Sequence, residues 1–135
     1  MIFQYPIKIR ESHLDTFAHV NNAVYLEIFE EARWEIINSR GYGIEEIKQN
    51  GHGPVVLEIH LKFVKELRLH DKILVHSKAE SYSGKIGIFK QWIENESHEI
   101  CCEAQFKIGL FDIDKRKLIA PTEAWLNAIG VSPKP

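Results

Sequence analysis

The sequence is short of the features that indicate disulfide bonds or charged partners. It has two cysteines, Cys101 and Cys102, and adjacent residues of a strand point to opposite faces, so they provide no disulfide framework. We expect a reducing compartment and packed thiols rather than nucleophiles. Basic and acidic residues are interspersed and the net charge is only -2, so a nucleic-acid partner is not expected.

Long apolar runs are also missing. The first fifteen residues, MIFQYPIKIRESHLD, contain Pro6 and several charges, and they lack the apolar core of a signal peptide or membrane span. Membrane insertion is therefore not expected, and a cytoplasmic location is predicted. The apolar fraction of 44% and charged fraction of 27% are typical of a globular protein. A chain of 135 residues predicts a single domain, residues 1–135.

Common cofactor and metal motifs are absent from the sequence. The segments GYG at 41–43 and GHG at 51–53 both lack the third glycine of a dinucleotide-binding loop. The pair His13 and His19 is not spaced like the histidines of a zinc-binding helix. Neither a phosphate loop nor a nucleophile-elbow serine is present. The sequence therefore predicts no cofactor and no metal site.

One segment has strong helical periodicity. Between Asn22 and Arg40, apolar residues recur at spacings of three and four, at Tyr25, Phe29, Ala32 and Ile36. Asn21 or Asn22 can cap the start of this helix, and Gly41 can end it. We expect this long apolar helix to form the core of the domain.

The other segments alternate as strands do. Strands are predicted at Ile2–Ile9, Val55–Phe63, Lys72–Tyr82, Lys85–Glu94 and Glu99–Phe111. The strand after Pro54 has one apolar face, formed by Val55, Leu57, Ile59, Leu61 and Phe63. A helical turn is expected at Ile44–Gln49, and the segment up to Ile129 suggests a short strand and a closing helix. This order predicts an α+β fold with an antiparallel sheet around one helix.

The segment DTFAHVNNAVY, Asp15–Tyr25, combines an acid, a histidine and two adjacent asparagines at the start of the helix. A helix start provides unpaired N–H groups and partial positive charge, which suit an oxyanion. A carbonyl carbon near the Asp15 carboxylate, with its oxygen on such an N–H, favours acyl transfer or hydrolysis. Alternatively, these residues only satisfy loop and cap hydrogen bonds. The residues alone leave both interpretations open.

Four short motifs in and around this segment carry a more specific signal: HLD at 13–15, HVNN at 19–22, YLE at 25–27 and EARW at 31–34. Together they resemble the signature of hotdog-fold acyl-CoA thioesterases of the 4-hydroxybenzoyl-CoA thioesterase type, and most of all the bacterial long-chain thioesterase III branch. The resemblance implies a five- or six-stranded antiparallel sheet wrapped around one long central helix. It also implies hydrolysis of an acyl-CoA, with long-chain fatty acyl groups as leading substrate, by a homodimer or dimer of dimers.

The resemblance implies roles for individual residues. Asp15 looks like the catalytic carboxylate, acting as general base or as nucleophile. The backbone N–H of Asn22 resembles the group that polarises the thioester carbonyl. His19 and Asn21 are expected to shape the loop. Weaker candidates for substrate binding are Phe17, Tyr25, Lys65 and Lys85.

The sequence departs from the family pattern at two places. Ala18 stands where relatives often have Gly before the motif histidine. At 63–67 this chain has FVKEL, where many relatives have an aromatic residue, two basic residues, Pro and Ala. This difference affects the expected contacts with the coenzyme A part of the substrate and does not affect Asp15.

Other readings follow from the same residues. Some hotdog thioesterases use a helix glutamate, but Glu27 and Glu31 project away from the apolar stripe, so Asp15 is preferred. A thioesterase for aromatic or short-chain acyl-CoA is the second reading, with a closed pocket formed by Phe17, Phe29 and Trp34. A non-catalytic acyl-binding hotdog protein would not need an acid at position 15. A hotdog dehydratase is disfavoured because its paired acid and histidine are missing.

Overall fold

A computed structural model of the chain describes residues 1–131, so the last four residues of the predicted domain lie outside the described part. In this part the chain forms, in order, β1 (Phe3–Lys8), α1 (Asn22–Ser39), α2 (Ile44–Asn50), β2 (His52–Phe63), β3 (Lys72–Ser83), β4 (Ile86–Glu94), β5 (Ile100–Asp112), β6 (Lys117–Ile119) and α3 (Glu123–Ile129). A single 3-10 turn, Glu11–His13, lies between β1 and α1. None of these helices is both long and apolar enough to cross a membrane.

The strands form one antiparallel sheet in the order β1-β3-β4-β5-β2, and β6 extends it by pairing with β5. The helix α1 packs against one face of this sheet, where its apolar residues meet those of β3, β4 and β5 in a single buried cluster. The predicted α+β architecture is confirmed. Because β1 and β2 each have a neighbour on one side only, they are the edges of the sheet.

The helix α1 forms where its apolar spacing predicts. Asn21 caps it, with the side-chain oxygen accepting the N–H of Ala23 at 2.9 Å. After Ser39, Gly41 adopts a φ of +83°, a left-handed conformation that suits glycine and stops the helix. The predicted stripe is buried, together with two more residues: Tyr25, Ile28, Phe29, Ala32, Ile36 and Ile37. Glu27 and Glu31 are exposed, as expected.

The prediction of one continuous apolar face along β2 is wrong. The pairing with β5 shifts between Val56 and Glu58, which breaks the simple alternation. Ile59 lies opposite the fully buried Phe106, yet 45% of Ile59 is exposed, because β2 is an edge strand beyond the cover of α1. The result is an exposed β2 apolar strip formed by Val56, Leu57, Ile59, Phe63 and Val64.

The segment after β5 gives both predicted elements, the short strand β6 and the closing helix α3. The Thr122 hydroxyl caps α3 by accepting the N–H of Trp125, whose ring packs edge-on against Tyr42. The two cysteines are free and fully buried. Burial raises the pKa of the Cys102 thiol to about 12, which confirms the expectation of packed rather than nucleophilic thiols.

Candidate active site

The loop that carries Asp15 is closed by an isolated antiparallel bridge between Leu14 and Val20. Inside it, the Asp15 N–H donates to the His19 carbonyl at 2.8 Å. The Asp15 Oδ1 atom accepts two backbone N–H groups, from Phe17 at 2.9 Å and from His19 at 3.1 Å. Within residues 1–131 no hydrogen bond reaches Oδ2. One carboxylate oxygen therefore shapes the loop, and the other is available for chemistry.

The tight loop places Ala18 in an unusual conformation. Its N–H donates to the Asp15 carbonyl at 3.1 Å, and its φ is +61°. This left-handed region is readily adopted by glycine and disfavoured for residues with a Cβ. The departure from glycine at position 18 thus keeps the loop shape at the expense of local strain.

The start of α1 has one free donor. The Ala23 N–H is taken by the Asn21 side chain and the Val24 N–H by the Asn21 carbonyl, both at 2.9 Å. No acceptor for the Asn22 N–H is found in the described part of the chain. This N–H also lies at the positive end of the helix dipole. It has the properties required of a donor to a developing oxyanion.

Asp15 and Asn22 line the same cavity, which has a volume of about 490 Å³. Six of the eight predicted site residues line it, and Asn21 adjoins it as the helix cap. The complete wall consists of Asp15, Phe17, His19, Val20, Asn22, Tyr25, Phe63, Val64, Lys65 and Glu66. The end of β2 and the start of α1 thus meet at the loop.

The eighth predicted residue, Lys85, does not reach this cavity in the single chain. It is exposed in the turn between β3 and β4, next to Ile86 at the beginning of β4. Lys65 lies two residues after Phe63. Phe63 is opposite Cys102 of β5, and Cys102 lies beside the other end of β4. One strand length, roughly 25 Å, therefore separates the two lysines.

Tyr25 is both a core residue and a wall of the cavity. Only 6% of it is exposed, and its ring meets that of Phe63 edge-on at 5.0 Å. Burial raises the pKa of its phenol, so the group stays protonated at neutral pH. Tyr25 is therefore a wall and not a base.

Two side chains of the segment at 63–67 have polar partners. Lys65 pairs with Glu99, and hydrogen bonding to Lys65 holds the pKa of the Glu99 carboxyl below its ordinary value. The carboxylate of Glu66 lies 3.3 Å from Nδ1 of His19. Glu66 was not predicted as a site residue, and its only signal in the sequence is the departure from the family pattern.

The chain is similar to a known protein family. A family model described as the thioesterase-like superfamily matches residues 9–129. The chain belongs to this superfamily. Over 119 residues the thioesterase is 33% identical to the long-chain acyl-CoA thioesterase FadM of Escherichia coli strain K12, a match that covers 87% of this chain and 89% of the relative.

Solved structures agree with the family assignment. The probable thioesterase YbaW of Escherichia coli superposes with a TM-score of 0.82 at 29% identity, covering 93% of this chain and 94% of that one. A Staphylococcus aureus protein solved in complex with CoA gives 0.88 at 19% identity, covering 96% and 82%. The predicted hotdog fold and the predicted enzyme class, thioester hydrolysis, are confirmed. Within residues 1–131 no group of three or more potential ligands could hold a metal ion.

Proposed function

We propose that this thioesterase hydrolyses long-chain fatty acyl-CoA to the free acid and coenzyme A, with Asp15 and the Asn22 N–H as its reacting groups. The observation that carries the proposal is that an unoccupied carboxylate oxygen and an unoccupied helix N–H belong to residues lining one cavity. The identity to a long-chain acyl-CoA thioesterase supports the choice of acyl group.

In the proposed reaction, the thioester oxygen accepts the Asn22 N–H, which stabilises the negative charge that develops on it. Asp15 then either takes a proton from an attacking water or attacks the carbonyl carbon itself to give a mixed anhydride that water hydrolyses. The carbon–sulfur bond breaks and coenzyme A leaves as a thiolate. Because a simple thiol has a pKa of about 8.5, this leaving group needs no strong general acid.

The other residues of the cavity position the reactants. His19 and Asn21 act through the loop and the helix cap, since their backbone and side-chain bonds fix Asp15 and the helix start. Phe17 is 80% exposed and is proposed, with Tyr25, as an apolar contact for the substrate. Lys65 is held by Glu99, which leaves it less free to meet a phosphate of coenzyme A.

We further propose a homodimer, or a dimer of dimers, in which β2 is covered by a second copy. An edge strand presents unpaired N–H and C=O groups, and apolar side chains exposed along it favour pairing with another chain. The β2 apolar strip meets this description, and Phe63 and Val64 belong both to the strip and to the cavity.

The test is thiol release from acetyl-, benzoyl- and palmitoyl-CoA by the wild type and by Asp15→Asn. Asparagine keeps an oxygen for the two loop N–H groups but removes the charge, so kcat should fall about a hundredfold or more while the fold persists. The matched control is Asp112→Asn, because Asp112 Oδ1 also accepts two backbone N–H groups, at 3.1 and 2.9 Å, at the end of β5 and away from the cavity.

Three results would contradict the proposal. Full activity in Asp15→Asn would limit Asp15 to a structural role in the loop. Binding of palmitoyl-CoA without thiol release would support an acyl-binding protein instead. A higher kcat/KM for benzoyl-CoA than for palmitoyl-CoA would replace the long-chain substrate by an aromatic one.

A further inference from the structure

A second cavity, of about 210 Å³, lies between the C-terminal half of α1 and the beginning of β2. Its wall is mainly apolar and includes Trp34, Ile36, Ile37, Val55, Ile108 and Trp125. Two charged residues, Glu30 and Arg33, interrupt this apolar wall. Charged groups beside an apolar cavity are costly unless they find partners, so their contacts indicate what the cavity accepts.

The Arg33 guanidinium is rigidly placed. It lies over the ring of Phe106, 4.4 Å from its centre, and donates from Nη1 to Gln91 Oε1 at 2.8 Å. Gln91 is itself fixed, because its amide donates to the Phe29 carbonyl and to the Ser77 hydroxyl. Burial lowers the pKa of Arg33 to about 10, which still leaves it protonated at neutral pH.

Most of the Arg33 donors have no partner within residues 1–131. A guanidinium carries five N–H groups, and its bond to Gln91 uses one of them. The chain described here provides no ion pair for Arg33. Because Arg33 lines the cavity, its remaining donors are available to an oxygen atom of a ligand there.

The charge of Glu30 influences which ligand group the cavity can bind best beside Arg33. It lies three residues before Arg33, on the same side of α1, and its negative charge favours the protonated guanidinium. A carboxylate in the cavity would be attracted by Arg33 but repelled by Glu30, whereas a plain methyl end would offer no acceptor to the remaining Arg33 donors. A hydroxyl can accept from Arg33 and donate to Glu30. A hydroxyl is thus the best complement to this pair.

The cavity lies along the path of a substrate held at the candidate active site. Arg33 follows Asn22 by eleven residues of α1, about 16 Å along the axis, and a helical side chain leans back toward the N-terminus. The β2 apolar strip runs between the two cavities, from Phe63 and Val64 back to Val56. An extended acyl chain advances about 1.25 Å per carbon–carbon bond, so a chain of roughly twelve to fourteen carbons spans this interval.

We propose that this second cavity binds the far end of the acyl chain and that Arg33 and Glu30 select chains carrying a hydroxyl there. The inference rests on the proposed acyl-CoA function of the Asp15 site. The substrate class is an ω-hydroxy or near-terminal hydroxy fatty acyl thioester of roughly twelve to fourteen carbons. Arg33 and Glu30 are then specificity residues that touch the substrate but not its reacting atoms.

The test measures binding and turnover separately. Binding of ω-hydroxydodecanoic acid, dodecanoic acid and dodecanedioic acid is followed by tryptophan fluorescence, since Trp34 and Trp125 line the cavity. The wild type should bind the hydroxy acid most tightly. In Arg33→Met the ratio of its affinity to that of dodecanoic acid should fall roughly tenfold, the usual effect of a lost hydrogen bond to a charged group. The ratio is taken within one variant, so partial unfolding does not change it.

A second variant keeps the test decisive if Arg33→Met does not fold. Glu30→Gln removes the repulsive charge at an exposed position, so its affinity for dodecanedioic acid should rise several-fold. The matched control is Glu27→Gln, an exposed carboxylate of α1 that lines neither cavity. Equal binding of the hydroxy and plain acids by the wild type, or no change in Glu30→Gln, would overturn the inference.

Thiol release from dodecanoyl-CoA and ω-hydroxydodecanoyl-CoA separates the two proposals. Turnover of both thioesters without any preference would leave the proposed function intact and remove the hydroxyl selection. Preferential binding of the hydroxy acid without thiol release from either thioester would refute the proposed hydrolysis and keep the cavity as a hydroxyacyl site.

Discussion

Asp15 and His19 are joined by two hydrogen bonds of opposite direction: the Asp15 N–H donates to the His19 carbonyl, and the His19 N–H donates to the Asp15 carboxylate. The side chain thus has a structural task that uses Oδ1 alone. The catalytic and structural interpretations of Asp15 are therefore compatible, because each assigns work to a different oxygen.

The same loop predicts a stabilising substitution. Ala18 has a φ of +61°, so Ala18→Gly should raise the free energy of unfolding by about 0.5–1 kcal/mol by relieving the conflict at its Cβ. Urea denaturation measures the change. The control Ala23→Gly, in the first turn of α1, should shift stability in the opposite direction. Equal losses in both variants would mean that the loop is not strained at position 18.

The buried amide of Gln91 predicts a large loss of stability. Gln91→Leu would leave the Arg33 guanidinium without its acceptor, and the Phe29 carbonyl and Ser77 hydroxyl without their donor. We expect a loss of about 2–4 kcal/mol in the free energy of unfolding, measured by urea denaturation. Gln105→Leu, an exposed position of β5, should change stability by less than about 0.5 kcal/mol. Similar effects at both positions would refute the tethering role of Gln91.

The carboxylate of Glu94 predicts a dependence of stability on pH. Its oxygens contact His98 at 3.0 Å and His76 at 2.7 Å, and hydrogen bonding to His98, then His76, lowers the pKa of the Glu94 carboxyl in the folded state. A lowered folded pKa stabilises the protein above the unfolded pKa, about 4.3 for Glu, and this contribution is lost as the pH falls through the folded value.

Urea midpoints between pH 3 and pH 7 measure this contribution. Glu94→Gln should be less stable than the wild type near neutral pH, and the gap should close as the solution becomes acidic. Glu96→Gln is the control, because Glu96 is exposed in the turn that follows β4 and has no ion pair among the described residues. A gap that stays constant over the whole range would show that ionisation of Glu94 does not contribute.

The β2 apolar strip predicts the effect of a charge on self-association. Ile59→Glu places a carboxylate in the middle of the strip and should convert a dimer into a monomer, as measured by light scattering after size exclusion. Ile44→Glu, at an exposed position at the start of α2, should leave the mass unchanged. A wild type that is monomeric at micromolar concentration, or an Ile59→Glu dimer, would contradict the proposal.

The sequence predicted the features that depend on local spacing. The limits of α1 follow from its apolar period and its cap at Asn21, and the alternation of β3 and β5 is visible without any partner strand. The bulge of β2 between Val56 and Glu58 could not be predicted, because it exists only relative to the register of β5. The exposure of Ile59 has the same origin, since an edge position is a property of the whole sheet.

The residues of the two cavities also differ in whether the local sequence could predict them. Asp15 and Asn22 lie in one continuous motif and were predicted from it, whereas Arg33 appeared only as part of the motif EARW. Its acceptor, Gln91, is 58 residues away, so no spacing rule links the two. Lys85 shows the opposite error. It was predicted as a site residue from the family pattern, but it lies beside the end of β4 that is distant from the cavity.

The loop that holds Asp15 is a module. Backbone hydrogen bonds close it from within, from the Asn21 N–H to the His13 carbonyl at one end to the two bonds between Asp15 and His19 inside. The N–H groups of His13 and Leu14 join it to the preceding 3-10 turn. Such a segment is shaped largely by its own hydrogen bonds, while Leu14 and Val20 anchor it to the core of the domain. Evolution or design can therefore replace the walls formed by β2 and α1 one side chain at a time, and so change the preferred acyl chain, while the acid keeps its place.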